Sequence, residues 1–170
     1  MKNIKDEIVN KFSFLKEYNF VFDIPQSVNK DGIIAIFKTS SLVIKLVMRG
    51  HRTDLHMELS KNEETNWIAF HWFLKYFSND DEYDINLHLN EKNIETKIKQ
   101  QIVSLSEELK SIIIKLNQFY NSYDYEEQLK KLNVYIHKWC EKRGLLATHK
   151  SKSISELNKF IKKLKKIFIE

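Results

Sequence analysis

The chain has 170 residues and a formal net charge of +5, and 42% of its residues are hydrophobic. That length fits one domain, or one domain with an appendage, and the single cysteine excludes an intrachain disulfide. Three glycines and one proline favour long helices and leave little material for phosphate-binding loops. With no apolar run near ~18 residues and no signal-peptide pattern, we expect a cytoplasmic protein without a transmembrane segment.

The N-terminal part begins with a predicted helix over residues 3–17, capped by Asn3, whose apolar face is formed by Ile4, Ile8, Phe12 and Leu15. Short segments rich in β-branched residues follow at 20–24, 32–37, 41–49 and 52–59. Turn residues separate them, and Gly50 suits a type II′ hairpin turn. The pattern predicts an antiparallel meander of about four strands.

A second helix is predicted from Ser60 to about residue 77. Ser60 and Glu63 have the spacing of a capping box. One stripe of this helix contains Trp67, Phe70, Leu74 and Phe77, and a second contains Ile68, Trp72 and Tyr76. A helix that is apolar around so much of its circumference needs cover on more than one side.

The C-terminal half predicts a helical hairpin followed by a basic amphipathic helix. The first helix, with Asn90 as its cap, has a seam formed by Ile94, Ile98, Ile102, Leu105, Leu109, Ile112, Leu116 and Phe119. Residues 121–124 break the pattern, and the second helix stops at Gly144 after the face formed by Leu129, Leu132, Ile136 and Trp139. Ser153 caps the last helix, whose apolar stripe contains Ile154, Leu157, Ile161, Leu164 and Phe168.

The predicted fold class is therefore α+β. An antiparallel meander of about four strands packs with helices in an α+β subdomain, residues 1–78. An acidic loop, residues 79–90, leads to a helical subdomain, residues 91–170, that packs on the first.

The chemistry-bearing residues Asp54, His56 and Glu58 occupy alternate positions of the fourth predicted strand. On a strand they face away from Leu55, Met57 and Leu59, so the pattern is typical of a sheet with one solvated face. Lys45 and Arg49 of the preceding strand can supply opposite charges. The alternatives are a partner-binding surface that adds His51 and Arg52, and an enzyme site near His56.

Two other spacings indicate metal sites only weakly. Residues 80–91 place oxygen-bearing side chains at calcium-loop positions, but Ile85 stands where the turn needs glycine. His137 and Cys140 lie three residues apart on a predicted helix, and no second pair accompanies them. We predict no metal site, no catalytic residue and no cofactor.

The positive charge lies in the C-terminal segment. Residues 142–170 carry nine basic residues and two glutamates, a net charge of +7, whereas residues 1–141 carry −2. The predicted last helix presents Lys159, Lys162, Lys163 and Lys166 on its polar face. Such a face is solvated, or it binds an acidic protein partner, a nucleic-acid backbone or an anionic membrane surface.

The first 78 residues resemble small bacterial immunity proteins of polymorphic toxin systems. The resemblance lies in "FLKEYNF", "GIIAIFKTSSLVIKLVMRG", "DLHMELS" and the following Trp/Phe-rich helix. It implies a non-enzymatic protein that binds another protein, although immunity proteins against nucleases are often acidic and this chain is basic. The alternative is a nucleic-acid-associated protein that uses residues 142–170.

Overall fold

The structure is a computed structural model that describes residues 2–25, 32–48, 54–61, 66–85 and 91–145. The chain divides into two compact units, Met1–Leu132 and Asn133–Glu170. The predicted boundaries at residues 78 and 91 both lie inside the first unit. In the described part of the chain, no helix is long and apolar enough to cross a membrane.

The first unit contains an antiparallel sheet in which the strands follow one another in chain order. Its strands are β1 (Val21–Asp23), β2 (Ile33–Lys38), β3 (Val43–Met48), β4 (Leu55–Ser60) and β5 (Ile68–Ala69). The α+β class and the meander are thus confirmed, and β5 adds a fifth strand. Gly32 enters β2 with a φ of +74°, and a Cβ there would overlap the carbonyl oxygen of Met48. Glycine is therefore required at this position.

The helices are α1 (Lys2–Lys11), α2 (Phe70–Ser78), α3 (Ile94–Asn121) and α4 (Tyr125–Lys142), with a 3-10 helix over Ser13–Tyr18. The two helices predicted in the C-terminal half, a long α3 followed by α4, are confirmed. Asn93 caps α3 by accepting a hydrogen bond from the Thr96 amide at 3.0 Å. Asn90, the predicted cap, lies outside the described residues, as do Gly50, Glu63 and Ser153.

The capping box predicted at Ser60 is wrong. Ser60 is the last residue of β4, where it is buried and lies opposite Val43 of β3. Strand pairing therefore continues through the residue that was expected to start the helix. The chain next forms β5, and α2 begins only at Phe70. Trp67 consequently precedes the helix and is half-buried.

The core lies between one face of the sheet and the helices. Phe37 of β2 stacks on Phe12 at 5.0 Å between ring centroids, and Phe22 meets its edge at 4.9 Å. The predicted seam of α3 is buried from Ile98 to Phe119, but Ile94, in the first turn, is exposed. Helix α3 therefore belongs to the same core as the sheet.

Gln101 of α3 closes the part of the β4 edge that β5 leaves uncovered. Strand β5 pairs only with Glu58 and Leu59. The fully buried Gln101 accepts a hydrogen bond from the Leu55 amide at 2.9 Å through its side-chain oxygen.

We expect Gln101→Leu to lower the free energy of unfolding by about 1–3 kcal/mol, because the substitution leaves a buried amide unsatisfied. Urea unfolding measures the effect, and Gln118→Leu, at an exposed position of the same helix, is the control. Equal stability of the two variants would contradict the role given to Gln101.

Candidate functional site

The row of Asp54, His56 and Glu58 lies on β4 and the residue before it. Leu55, Met57 and Leu59 alternate with these residues and are buried, as predicted. The polar side of the row is not the solvated face that the sequence predicted, because all three residues are only partly exposed. His51 and Arg52, the other predicted partner-binding residues, lie outside the described residues.

Glu58 forms an ion pair with Lys45, the residue directly opposite it on β3. The Lys45 Nζ to Glu58 Oε2 distance is 3.0 Å, and the two side chains are only 15% and 13% exposed. The ring of Trp67 covers the pair, with its centroid 3.8 Å from the Lys45 ammonium. The predicted cross-strand pair is thus present, but a cation–π contact shields it from solvent.

Asp54 forms an ion pair with Lys97 of α3, which the sequence reasoning missed. The Lys97 Nζ to Asp54 Oδ1 distance is 2.6 Å, and the side chains are 11% and 23% exposed. Lys97 precedes Ile98 of the apolar seam and lies one turn before Gln101. A lysine and a glutamine on the buried side of an amphipathic helix are the signal that could have indicated a polar contact there.

The row is therefore poorly arranged for chemistry. Both of its carboxylates, those of Asp54 and Glu58, are held in ion pairs with lysine ammonium groups. Among the described residues, no group of three or more His, Cys, Asp or Glu side chains is placed to hold a metal ion. These ion pairs join β3 to β4 and β4 to α3, which is a structural role.

His71 lies in the first turn of α2, where burial and nearby charged groups shift its pKa. Burial, followed by the charge of Lys75, holds the pKa of His71 below its ordinary value of 6.5. His56 acts in the same direction, whereas Asp84 raises this pKa. A folded protein with such a histidine binds a proton less readily than the unfolded chain does.

We expect acid to destabilise the protein through His71. Its contribution is complete above pH 6.5 and declines as the pH falls below that value and through the lower pKa of His71 in the folded protein, because the unfolded chain takes up the proton first. Urea unfolding at pH 7.5 and 5.5 should show a smaller loss of stability for His71→Gln than for the parent protein. An identical pH dependence for both proteins would refute this expectation.

The acidic loop after α2 is held at two points. The buried Lys75 ammonium donates hydrogen bonds to the carbonyl oxygens of Asp81 and Tyr83. The Tyr83 hydroxyl donates to Glu108 of α3 at 2.5 Å, which raises the pKa of Tyr83 to about 12. The Asp80 and Asp84 carboxylates accept from backbone amides, so they shape the loop. Positions 86 and 88 of the predicted calcium spacing lie outside the described residues.

The outer face of α3 carries an exposed apolar residue that the sequence analysis did not single out. Ile114 is 59% exposed, and the lysines near it on the helix, Lys110 and Lys115, lie near different aromatic rings. The Lys110 ammonium lies 5.9 Å from the Phe14 ring centroid. The Lys115 ammonium lies 5.9 Å from the Phe77 ring centroid and donates to the Phe77 carbonyl oxygen at 3.5 Å. We call Lys110, Ile114 and Lys115 the α3 face.

A cleft of about 30 Å³ lies between α1, β2, β3 and α3, lined by Ile4, Lys5, Ile8, Pro25, Ile34, Met48 and Ile98. Pockets that enclose small-molecule ligands usually measure ~300–1,000 Å³. The cleft can therefore admit no more than a small part of a side chain. Lys159, Lys162, Lys163 and Lys166, the predicted basic face, lie outside the described residues.

No family model, curated protein or solved structure matches the chain.

Proposed function

We propose that the chain is a cytoplasmic protein-binding factor of the immunity or antitoxin type, which acts by occupying its partner. The ion pairs of Asp54 and Glu58 support a non-enzymatic protein, because they commit the carboxylates of the row to the fold. The sequence resemblance of the first 78 residues to immunity proteins supports the same proposal.

The observation that carries the proposal is the α3 face. Interfaces typically have an apolar centre and a polar rim, and here Ile114 stands between two lysines and the polar residues Ser111 and Gln118. The Lys110 and Lys115 ammonium groups lie near the Phe14 and Phe77 rings, and the Ile114 side chain is exposed. An apolar side chain flanked by carboxylates on the partner would complement this surface.

The residues of the β4 row that were predicted to bind a partner do not belong to the proposed binding face on α3. Asp54 and Glu58 contribute through the fold, because each is held in an ion pair. His56 is partly exposed, and its part in partner binding stays a prediction. A role for His51 and Arg52 stays a prediction.

Toxin neutralisation tests the proposal. The products of genes adjacent to this one are expressed singly in a susceptible bacterial host, and a toxic product is then coexpressed with this chain. We expect the parent protein to restore growth and Ile114→Asp to fail at an unchanged melting temperature. Val9→Asp, the same change at an exposed apolar residue of α1, is the matched control and should restore growth. Rescue by Ile114→Asp would show that the α3 face does not bind the partner.

The second candidate function is nucleic-acid binding, which the net charge of +7 in residues 142–170 favours. Each phosphate contact contributes about one unit to the salt dependence of binding. Replacing Lys159, Lys162, Lys163 and Lys166 with Gln should weaken binding to every DNA or RNA sequence alike and flatten the salt slope. Fluorescence anisotropy measures both effects. If the parent protein binds neither DNA nor RNA at low salt, this candidate is excluded.

A further inference from the structure

The part of α4 in the second unit has one half-buried stripe. Side chains at helical spacing are partly covered; they belong to Tyr135, Ile136, Trp139 and Cys140, and Arg143, directly after the helix, continues the stripe. The residues between them are exposed, including Val134, His137 and Lys138. This periodicity is that of a helix that packs on one side only.

The chain leaves the helix axis where the stripe ends. Gly144 has a φ of +65°, its amide donates to the Glu141 carbonyl oxygen, and the Leu145 amide donates to the Cys140 carbonyl oxygen. These two bonds form a Schellman motif, which confirms Gly144 as the predicted stop. The Arg143 guanidinium lies 4.0 Å from the Trp139 ring centroid and covers one side of the ring.

We propose that the stripe of α4 is the docking surface for this chain's own C-terminal segment, residues 153–168. The sequence places Ile154, Leu157, Ile161, Leu164 and Phe168 at helical spacing in that segment. Ten residues, 143–152, separate it from the end of α4 at Lys142, and a connection of that length can span up to ~33 Å when extended, which is enough for the chain to return along the helix. Docking of the apolar stripe turns Lys159, Lys162, Lys163 and Lys166 to solvent.

Tethering favours this occupant over a second copy of the chain. A short linker holds the segment at an effective concentration in the millimolar range, far above that of a second copy in dilute solution. The sequence predicts a helix over residues 153–168, and most helical stability in proteins comes from tertiary packing of an amphipathic face, so packing on α4 would also stabilise the segment. The inference concerns a surface apart from the α3 face and does not rest on the proposed function.

The reactivity of the Cys140 thiol shows whether the stripe is covered, because Cys140 is the single cysteine of the chain and belongs to the stripe. The rate at which its thiol reacts with Ellman's reagent is measured in the full chain. We expect Leu157→Asp together with Ile161→Asp to raise the rate several-fold. Ser155→Asp, on the polar side of the segment, is the control and should react like the parent protein.

A second measurement identifies the occupant. Leu157→Cys and Ile161→Cys, made separately, place a second thiol on the segment, and at least one should form an intrachain disulfide with Cys140 on mild oxidation. Disulfide formation requires Cα atoms within about 7 Å, so it reports contact. An unchanged Cys140 rate in the double Asp variant, or only intermolecular disulfides, would overturn the proposal. Protection that increases with protein concentration would do so too, and would assign the surface to a second copy.

Discussion

Replacing Phe119 by alanine is expected to lower the free energy of unfolding by about 3–5 kcal/mol, as for other buried aromatic truncations. Phe119 joins three helices in the first unit. Its ring centroid lies 5.4 Å from Phe73 and 6.2 Å from Phe77 of α2, and 5.8 Å from Tyr125 at the start of α4. Truncation removes these edge contacts together and leaves a cavity where the helices meet.

Gln118→Ala is the matched control for Phe119→Ala. Gln118 is the preceding residue of α3 and is exposed, so its truncation should change stability by no more than ~0.5 kcal/mol. Urea unfolding followed by circular dichroism measures both variants. If Phe119→Ala cost no more than Gln118→Ala, the joint packing of α2, α3 and α4 around this ring would be refuted.

Replacing Asp54 by asparagine is expected to have the second-largest effect, about 2–4 kcal/mol of lost stability. Removing one partner from a fully buried ion pair costs ~3–5 kcal/mol, and the Asp54 side chain is 23% exposed, which reduces the cost. The substitution preserves the shape of the side chain and removes the negative charge that pairs with the Lys97 ammonium. The loss therefore reports electrostatics more than packing.

An exposed pair on the same helix provides the control. The Lys99 Nζ to Glu95 Oε1 distance is 2.7 Å, close to the 2.6 Å of the Lys97–Asp54 pair, but the side chains are 37% and 58% exposed. Glu95→Gln should leave stability unchanged within error, because solvent screens exposed pairs. A double-mutant cycle of Asp54→Asn with Lys97→Met gives the coupling energy. No measurable coupling would show that this pair does not join β4 to α3.

The sequence predicted those parts of the fold that depend on local periodicity. The alternation of buried Leu55, Met57 and Leu59 identified β4, and the repeat of apolar residues identified α3. Gly144 ended α4 as expected, because a residue with positive φ is the usual helix stop.

The failures arose where tertiary contacts override local signals. Ser60 has the residue type and spacing of a helix cap, but pairing with β3 takes its backbone into the sheet. Phe73 was assigned to neither predicted stripe of α2, yet it is fully buried, because α3 covers a side of α2 that the periodicity did not identify. A local sequence pattern predicts which side of a helix or strand is apolar. It does not predict which other element packs against that side.

In the candidate site, too, the contacts set by local geometry could be predicted, and the long-range contacts could not. The alternation of Asp54, His56 and Glu58 and the Lys45–Glu58 pair could be predicted, because both follow from strand geometry. Cover by Trp67 and the ion pair with Lys97 could not, since Lys97 lies 43 residues from Asp54 in the chain. Exposure of Ile114 was also missed, because it adjoins the buried Ile112 and Ile113 in a continuous apolar run.

Photo-crosslinking from the α3 face tests the central claim, that this chain acts by binding another protein there. Benzoylphenylalanine replaces Ile114 in one variant and Val9 in a control, and each is irradiated in cells of the source organism. We predict one abundant crosslinked protein from position 114 and none from position 9. The purified partner should bind the parent chain one to one in calorimetry, and Ile114→Asp should abolish that binding. A folded variant that forms no crosslink at position 114, or the same crosslinks from both positions, would contradict the account.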